Sequence, residues 1–203
     1  MKVIAHRGAS IEHPENTIEA IKHAFSLGVY AVEIDVHLSK DDIPVVIHDE
    51  TLERTHNDKR AVFDHSHKEL PVPTLEQVLA LPRDCYLMIE IKEGRHDAKK
   101  LIEKVVDLAK NHQKIILASF SHGLLTGIQG FELLGLSDQE VPPLEWVCLD
   151  EKIIDETLMK LLEGKRVWTY TVDCPVRAEE LYSLGVEGFV TNDPRKLLPS
   201  TRK

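Results

Sequence analysis

Two carboxylates, Glu33 and Asp35, lie one residue apart in an otherwise apolar segment, and this spacing indicates metal chemistry. Because side chains alternate along a β-strand, both carboxylates point to the same face of the strand Val32–Val36. Two like charges so close together cost stability unless a positive charge neutralises them. A hard divalent cation can supply that charge. The alternative for this stretch alone is a surface hairpin in which salt bridges neutralise the carboxylates.

Polar side chains also stand at the ends of three other apolar segments. They are His6 and Arg7 after Lys2–Ala5, His48 and Asp49 after Pro44–Ile47, and Glu90 and Lys92 at the end of Tyr86–Lys92. The carboxyl ends of parallel strands meet at one rim of a barrel or one edge of a sheet, where active sites form. We therefore expect these side chains to converge with the first two carboxylates on one site.

The residue types expected at this rim suit acid–base chemistry on an anion. Three carboxylates without a cysteine indicate an oxygen-liganded cation, with Mg²⁺ or Ca²⁺ favoured over Zn²⁺. His6 and His48 are a natural acid–base pair near neutral pH. Arg7 and Lys92 supply positive charge for an anion such as phosphate. A single histidine at a strand end is more often structural, but four polar strand ends together favour a functional site.

Strand and helix patterns alternate along the whole chain. Strands are predicted over residues 2–5, 31–36, 86–92, 115–120, 166–172 and 188–191, and helices over 16–28, 74–79, 97–111, 153–162 and 177–184. This alternation and a total of eight candidate strands predict an α/β fold, namely a distorted, compact TIM (β/α)8 barrel, as a single domain over residues 1–203. An open doubly wound sheet is the alternative, but no glycine-rich nucleotide-binding fingerprint follows the first strand.

Two segments around the second histidine have more than one interpretation. The link between Asp35 and His48 is too short for a crossover helix. It is therefore either a hairpin that turns at residues 40–42 or an extended link. Residues 50–71 are polar and predict a small excursion whose histidines are exposed rather than metal ligands.

Two further segments are read from local patterns alone. Phe131–Leu136 and Trp146–Leu149 are both weak strand candidates, which leaves the position of the sixth barrel strand open. Pro14–Thr17 is explained as a helix start, with Asn16 as the N-cap and Glu19 as its capping-box partner.

Composition indicates an ordinary globular protein, with 42% hydrophobic and 29% charged residues. The formal net charge of −9, without a basic stripe, argues against nucleic acids and anionic membrane surfaces as partners. Cys85, Cys148 and Cys174 are scattered, which favours free thiols in a reducing compartment. The chain opens with a strand pattern and not a signal peptide, and it has no apolar run of membrane-spanning length. We expect a cytoplasmic protein without stable membrane association.

Motifs spread over the chain match one known family. They are His6-Arg7-Gly8, Pro14–Thr17, Glu33–Val36, Pro44–Asp49, Thr51–Thr55, Pro73–Glu76, Glu90–Lys92, Ser119–Phe120 and Gly185–Gly188 before Thr191. With these motifs the chain resembles the glycerophosphodiester phosphodiesterases, relatives of the phosphatidylinositol-specific phospholipases C. The resemblance implies metal-dependent hydrolysis of small glycerophosphodiesters to an alcohol and sn-glycerol 3-phosphate. The residues it implies are Glu33, Asp35 and Glu90 as ligands to Mg²⁺ or Ca²⁺, His6 and His48 as the catalytic pair, and Arg7 and Lys92 as phosphate contacts.

Three features depart from the pattern of that family. Asp42 stands where the family commonly has glycine in a turn, and Trp168–Asp173 ends in Asp where the family usually has Asn. The stretch between Phe120 and Trp168 is short, which predicts a trimmed sixth barrel unit and a more open rim. Trp168 itself is expected to line the substrate pocket.

Two other functions compete with this one. A non-catalytic phosphate-binding protein could keep the barrel, but it has no need for both an acid and a base. A phospholipase acting on intact lipids would carry exposed apolar or basic rim loops, and the sequence indicates neither. Within the hydrolase, the likeness to phospholipases C favours attack by the glycerol 2-hydroxyl of the substrate, with direct attack by water as the alternative. The sequence leaves open the head-group alcohol, the native metal, the role of each histidine and the oligomeric state.

Overall fold

The structure, a computed structural model, describes residues 1–199, and its centre is a closed barrel of parallel strands. The strands are β1 (Lys2–Ala5), β2 (Ala31–Leu38), β3 (Pro44–Val46), β4 (Tyr86–Ile91), β5 (Ile115–Ser119), β6 (Glu132–Ser137), β7 (Trp146–Asp150), β8 (Arg166–Tyr170) and β9 (Gly188–Thr191). All except β3 pair in parallel, and β1 closes the barrel by pairing with both β2 and β9. The predicted TIM-type barrel is confirmed, and the open sheet is wrong.

Apolar side chains pack on both faces of the barrel wall. The helices are α1 (Ile18–Ser26), α2 (Glu53–His56), α3 (Leu75–Leu79), α4 (Ala98–Ala109), α5 (Glu156–Leu161), α6 (Pro175–Ser183) and α7 (Pro194–Leu197). Alternation along β4 places Leu87 and Ile89 in the larger core with helix residues such as Leu101, whereas Met88 belongs to a second core with Trp168. The same alternation places Glu90, two residues after Met88, on the face of β4 that Met88 occupies, at the carboxyl end of the strand.

The segment after β2 is a hairpin, which decides between the two predicted alternatives. β3 runs antiparallel to β2, with Val46 opposite Val36. The turn contains Asp42 at a φ of +60°, a left-handed conformation that Asp tolerates better than most residues other than glycine. The Ile47 N–H then donates to the Asp35 carbonyl at 3.0 Å. The hairpin therefore delivers the residue that follows Ile47, His48, to the same rim as the carboxylates.

Residues 50–71 form the expected excursion, which contains α2 and two short 3₁₀ turns. It has a small apolar core of its own, composed of Val45, Ile47, Leu52, Val62 and Leu70. Its histidines are exposed or half-buried, in agreement with their interpretation as loop residues.

The loops after β5 and β6 contain no α-helix, all of their residues being described. A 3₁₀ turn at His122–Leu125 connects β5 to β6, and residues 138–145 join β6 directly to β7. Both weak strand candidates form strands, namely β6 and β7. The connections before and after β6 lack the α-helix of a full barrel unit, so this part of the barrel is trimmed as expected. Of the helices in residues 1–199, none combines the length and the apolar character needed to cross a bilayer. The cysteines are free, with Cys148 buried.

Candidate active site

The three predicted carboxylates converge at the carboxyl ends of β2 and β4. These strands are parallel neighbours, and their register places Asp35 opposite Glu90. One oxygen from each of Glu33, Asp35 and Glu90 lies within 4.8 Å of the other two. Glu33 and Asp35 are only 2% and 1% exposed, so bulk water solvates neither carboxylate. Within residues 1–199, no other group of three acidic, histidine or cysteine side chains is close enough to hold a metal ion.

Burial and mutual repulsion make full ionisation of this cluster costly. Burial, reinforced by Asp35 and Glu90, raises the pKa of Glu33 well above its usual range. Burial and the Asp35 charge raise the pKa of Glu90 to about 7. Asp35 is also buried, but Lys92 and Arg7 outweigh this effect and hold its pKa below the usual value. Glu33 Oε1 is buried without a hydrogen-bond partner. The cluster therefore fits a hard cation, which would neutralise the repulsion and take the free oxygen as a ligand.

Arg7 and Lys92 place positive charge beside the carboxylates. Lys92 Nζ lies 2.7 Å from Glu90 and 3.5 Å from Asp35. Arg7 Nε lies 3.4 Å from Asp35. The Arg7 backbone has a φ of +57°, and in this left-handed conformation its N–H donates to Glu33 Oε2 at 2.8 Å. The turn after β1 thus binds the acidic cluster through its backbone, while the guanidinium lies beside Asp35 and pairs with Glu15 through Nη1.

His6 is oriented by two residues from the far end of the chain. Its Nδ1–H donates to the side-chain oxygen of Asn192 at 2.7 Å. The Asn192 amide is fixed in turn, because its Nδ2 donates to Asp173 at 2.8 Å. With an amide oxygen as acceptor, the His6 proton resides on Nδ1 and Nε2 keeps its lone pair. Burial and the nearby Arg7 lower the pKa of His6, which favours the neutral form of the ring.

His48 has the opposite surroundings. Its Nδ1 lies 2.6 Å from Asp49 Oδ1. Asp49 Oδ2 accepts from Arg54 Nε at 2.6 Å, and Arg54 forms a two-pronged pair with Glu15 at 2.6 and 2.7 Å. Glu15 also accepts from Arg7 Nη1 at 2.9 Å, which joins this network to the first loop. A carboxylate against Nδ1 orients the imidazole ring and leaves Nε2 free.

Asn16 belongs to the site, and its interpretation as the helix N-cap is wrong. The N-cap of α1 is Thr17, whose Oγ1 accepts from the Ala20 N–H at 3.2 Å. Asn16 has a φ of +57° and is 4% exposed. Its Nδ2 donates to Asp35 Oδ2 at 2.9 Å. The local pattern could not separate the two residues, because Asn and Thr are both favoured N-caps.

A cavity of about 260 Å³ contains most of the predicted residues. Its polar lining consists of His6, Arg7, Glu33, His48, Glu90, Lys92 and Thr171, and its apolar lining includes Met88, Phe120, Leu136, Cys148, Tyr170 and Val190. Asp35 is not in the lining but contacts both cationic side chains. The cavity is at the small end of ligand sites, which suits a small substrate.

Trp168 does not line this cavity, so the predicted pocket residue is wrong. It is fully buried in the barrel, where its ring packs edge-to-face on Trp146 at 4.6 Å between centroids. Because side chains alternate along β8, Tyr170 faces the same side but lies two residues closer to the carboxyl end. Tyr170 lines the cavity and packs edge-to-face on Phe120 at 6.0 Å.

The rim also carries exposed apolar side chains, contrary to the expectation from sequence. Ile11, Phe120, Val141 and Val176 are between 38% and 65% exposed. They follow β1, β5, β6 and β8, respectively, and so lie at the carboxyl-end face of the barrel.

Comparison with known proteins finds relatives along the chain. The sequence model of the glycerophosphoryl diester phosphodiesterase family matches residues 6–136. A glycerophosphodiester phosphodiesterase of Caldanaerobacter subterraneus subsp. tengcongensis is 33% identical over 237 aligned positions, which cover 99% of this chain and 98% of the relative. The aligned positions outnumber the 203 residues of this chain, so the relative contains additional residues.

Solved structures share the fold. A glycerophosphodiester phosphodiesterase from Thermotoga maritima has a TM-score of 0.86 at 26% identity, and the match covers 96% of this chain and 95% of that chain. A phosphodiesterase from Oleispira antarctica, solved with the product sn-glycerol-3-phosphate, has a TM-score of 0.85 at 24% identity, with 97% of this chain and 95% of that chain covered.

Proposed function

This chain belongs to the glycerophosphoryl diester phosphodiesterase family of enzymes, and we propose that it hydrolyses glycerophosphodiesters to an alcohol and sn-glycerol 3-phosphate. The observation that carries the proposal is the pair of oppositely prepared histidines beside one acidic cluster. His6 presents a bare Nε2, and His48 is paired with a carboxylate. A binding protein has no need for this difference, whereas a hydrolase needs one proton acceptor and one proton donor.

The acidic cluster supports a divalent cation, Mg²⁺ or Ca²⁺, as cofactor. Glu33, Asp35 and Glu90 would hold it, and Glu33 Oε1 is the oxygen that now lacks a partner. When bound, the cation supplies positive charge to the non-bridging phosphate oxygens. Arg7 and Lys92 line the same cavity and add charge that favours the more highly charged transition state.

In the first step, His6 Nε2 takes the proton of the glycerol 2-hydroxyl as its oxygen bonds to phosphorus. The bond from phosphorus to the alcohol oxygen breaks, and protonated His48 donates its Nε2 proton to that oxygen. The products are the free alcohol and a cyclic glycerol phosphate. Asn192 keeps the His6 proton on Nδ1 throughout, so the base acts through one nitrogen only.

In the second step, the roles of the histidines reverse. His48, now neutral, takes a proton from water as the water oxygen bonds to phosphorus. The ring bond to the glycerol 2-oxygen breaks, and His6 returns the proton to that oxygen. The product is sn-glycerol 3-phosphate, and both histidines regain their initial state.

A panel of glycerophosphodiesters, assayed for released glycerol 3-phosphate, tests the function. We expect turnover that chelation abolishes and Mg²⁺ or Ca²⁺ restores. Absence of turnover over the whole panel would contradict the function, and full turnover by chelated protein would contradict the metal dependence. A substrate without the 2-hydroxyl tests the order of steps by phosphorus NMR. Hydrolysis of that analogue at the normal rate would make water the nucleophile.

Lysophospholipids are a second candidate substrate class, favoured by the exposed apolar side chains at the rim. Phe120 both lines the cavity and is 43% exposed, so an acyl chain could leave the site across it. Lysophosphatidylcholine and glycerophosphocholine share one head group, so a comparison of their kcat/KM values isolates the effect of the acyl chain. A lower kcat/KM for lysophosphatidylcholine than for glycerophosphocholine excludes the lipid as the preferred substrate.

A further inference from the structure

Two buried histidines, His37 and His96, bond to each other beneath the loop that carries His48. His37 is 2% exposed and His96 is 6% exposed. His37 Nδ1 lies 3.0 Å from His96 Nε2, and His37 Nε2 lies 2.9 Å from the carbonyl oxygen of His48. Neither ring lines the active-site cavity, and none of the steps above uses them.

The acceptors determine the direction of both bonds. A carbonyl oxygen can only accept, so His37 Nε2 carries a proton and donates it to His48. His37 Nδ1 is then the bare nitrogen and accepts from His96 Nε2–H. Burial lowers the pKa of His37 to about 4, in keeping with a neutral ring. His96 orients His37, and His37 binds the backbone of His48.

This pair connects three segments of the rim. Glu33, Asp35 and His37 share one face of β2, because side chains alternate along the strand. His96 belongs to the loop after β4, which follows Glu90 at the end of that strand. The pair therefore ties together the strand with two carboxylates, the loop that follows the strand with the third, and the loop with His48.

We propose that His37 and His96 are positioning residues that hold the His48 backbone at its working distance from the acidic cluster. This proposal rests on the proposed role of His48 as general acid. The last backbone hydrogen bond between the hairpin and β2 runs from the Ile47 N–H to the Asp35 carbonyl. His48 is the next residue along the chain. Asp49 orients the ring of His48, whereas His37 fixes its backbone. A displacement of about 1 Å at a reacting group can cost about 10²-fold in rate.

Three substitutions and one matched control test the proposal. His37→Phe keeps the ring volume but removes both bonds, and we expect kcat to fall about 10- to 100-fold with KM within about 3-fold. His37→Gln retains a donor and an acceptor and should recover most of the loss. His96→Phe leaves the bond to His48 and should lose less than His37→Phe. His122→Phe is the control. His122 also forms a hydrogen bond to a backbone carbonyl, that of Leu136, but it belongs to the loop after β5 and not to the loop of His48.

Amide hydrogen exchange gives a readout that needs no activity. In His37→Phe we expect faster exchange in residues 47–52, with unchanged exchange in β4 and unchanged Ca²⁺ affinity by calorimetry. Unchanged exchange in residues 47–52, equal defects in the Gln and Phe variants, or a parallel loss of Ca²⁺ affinity would each overturn the proposal. A wild-type protein that hydrolyses no glycerophosphodiester would overturn the proposed function instead, while the exchange result would still report on the loop. If His37→Phe does not fold, the Gln and His96 variants provide the same comparison.

Discussion

The two catalytic histidines proposed here lie at one rim but in opposite electrostatic surroundings. His6 donates to a neutral amide, Asn192, whose charged neighbour Asp173 lies one bond further away. His48 contacts a carboxylate, Asp49, directly. Their side chains are 20% and 32% exposed, and burial together with Arg7 lowers the pKa of His6. The proton that His6 donates to the amide leaves its Nε2 able to take a proton, whereas the Nδ1 of His48 faces a carboxylate.

The difference teaches how one fold can give two residues of the same type the different partners that the proposed base and the proposed acid require. Both rings hold their Nδ1 proton toward the protein and present Nε2 to the cavity. The group behind Nδ1 differs between the proposed base, His6, and the proposed acid, His48. The first three of the following substitutions change one side of this contrast, and the last leaves both sides intact.

The largest effect is expected from removing either ring. His6→Ala and His48→Ala should each lower kcat about 10²- to 10⁴-fold on an alkyl phosphodiester. With a nitrophenyl leaving group, which needs no proton, the first-step release of nitrophenol should recover most of its rate in His48→Ala but not in His6→Ala. Burst kinetics of alcohol release with both substrates provides the test. Recovery of the His6 variant alone would reverse the assignment of acid and base.

A smaller loss is expected from Asp49→Asn, which keeps a hydrogen-bonding group behind His48 but removes its charge. We expect kcat to fall about 10- to 100-fold on alkyl substrates, the usual scale for a residue that supports a reacting group. The loss should vanish with the nitrophenyl leaving group. Equal losses on both substrates would mean that Asp49 supports the loop and not the proton donor.

Exchanging the partners of His6 should move the pH profile and change the maximal rate less. The double variant Asp173→Asn, Asn192→Asp places a carboxylate directly against Nδ1 and preserves the amide–carboxylate pair. The pKa of His6 is now lowered by burial and Arg7. A neighbouring carboxylate opposes this, so the pKa rises and the acidic limb of kcat/KM moves up by about one pH unit. An unmoved limb would show that His6 is not the group titrating there.

The smallest effect is expected from Tyr170→Phe, which touches neither histidine network. The Tyr170 hydroxyl is buried without a hydrogen-bond partner, so its removal should leave the melting temperature unchanged or slightly raised. The contrast between the two histidine variants should persist in this background. A melting temperature lowered by several degrees would reveal a partner for the hydroxyl in solution.

Local patterns determined which residues can do the chemistry. Alternation along β2 places Glu33 and Asp35 on one face, and polar residues at strand ends must meet at one rim if the strands are parallel. These rules require only near neighbours in sequence, so the barrel and the polar residues of the cavity were predictable, whereas its apolar lining was not. Trp168 was misplaced because alternation gives the face of a strand but not the depth along the barrel at which each residue lies.

Tertiary structure decided the hydrogen-bond partners of several other site residues, whereas the partner of His48, Asp49, is its neighbour in sequence. Asn16 bonds Asp35 across 19 positions, His37 bonds His96 across 59, and His6 bonds Asn192 across 186. The last contact exists because β9 pairs with β1 and closes the barrel. A hydrogen bond fixes tautomer and charge only through the identity of its partner, and no local pattern contains a partner that chain closure brings from the other end.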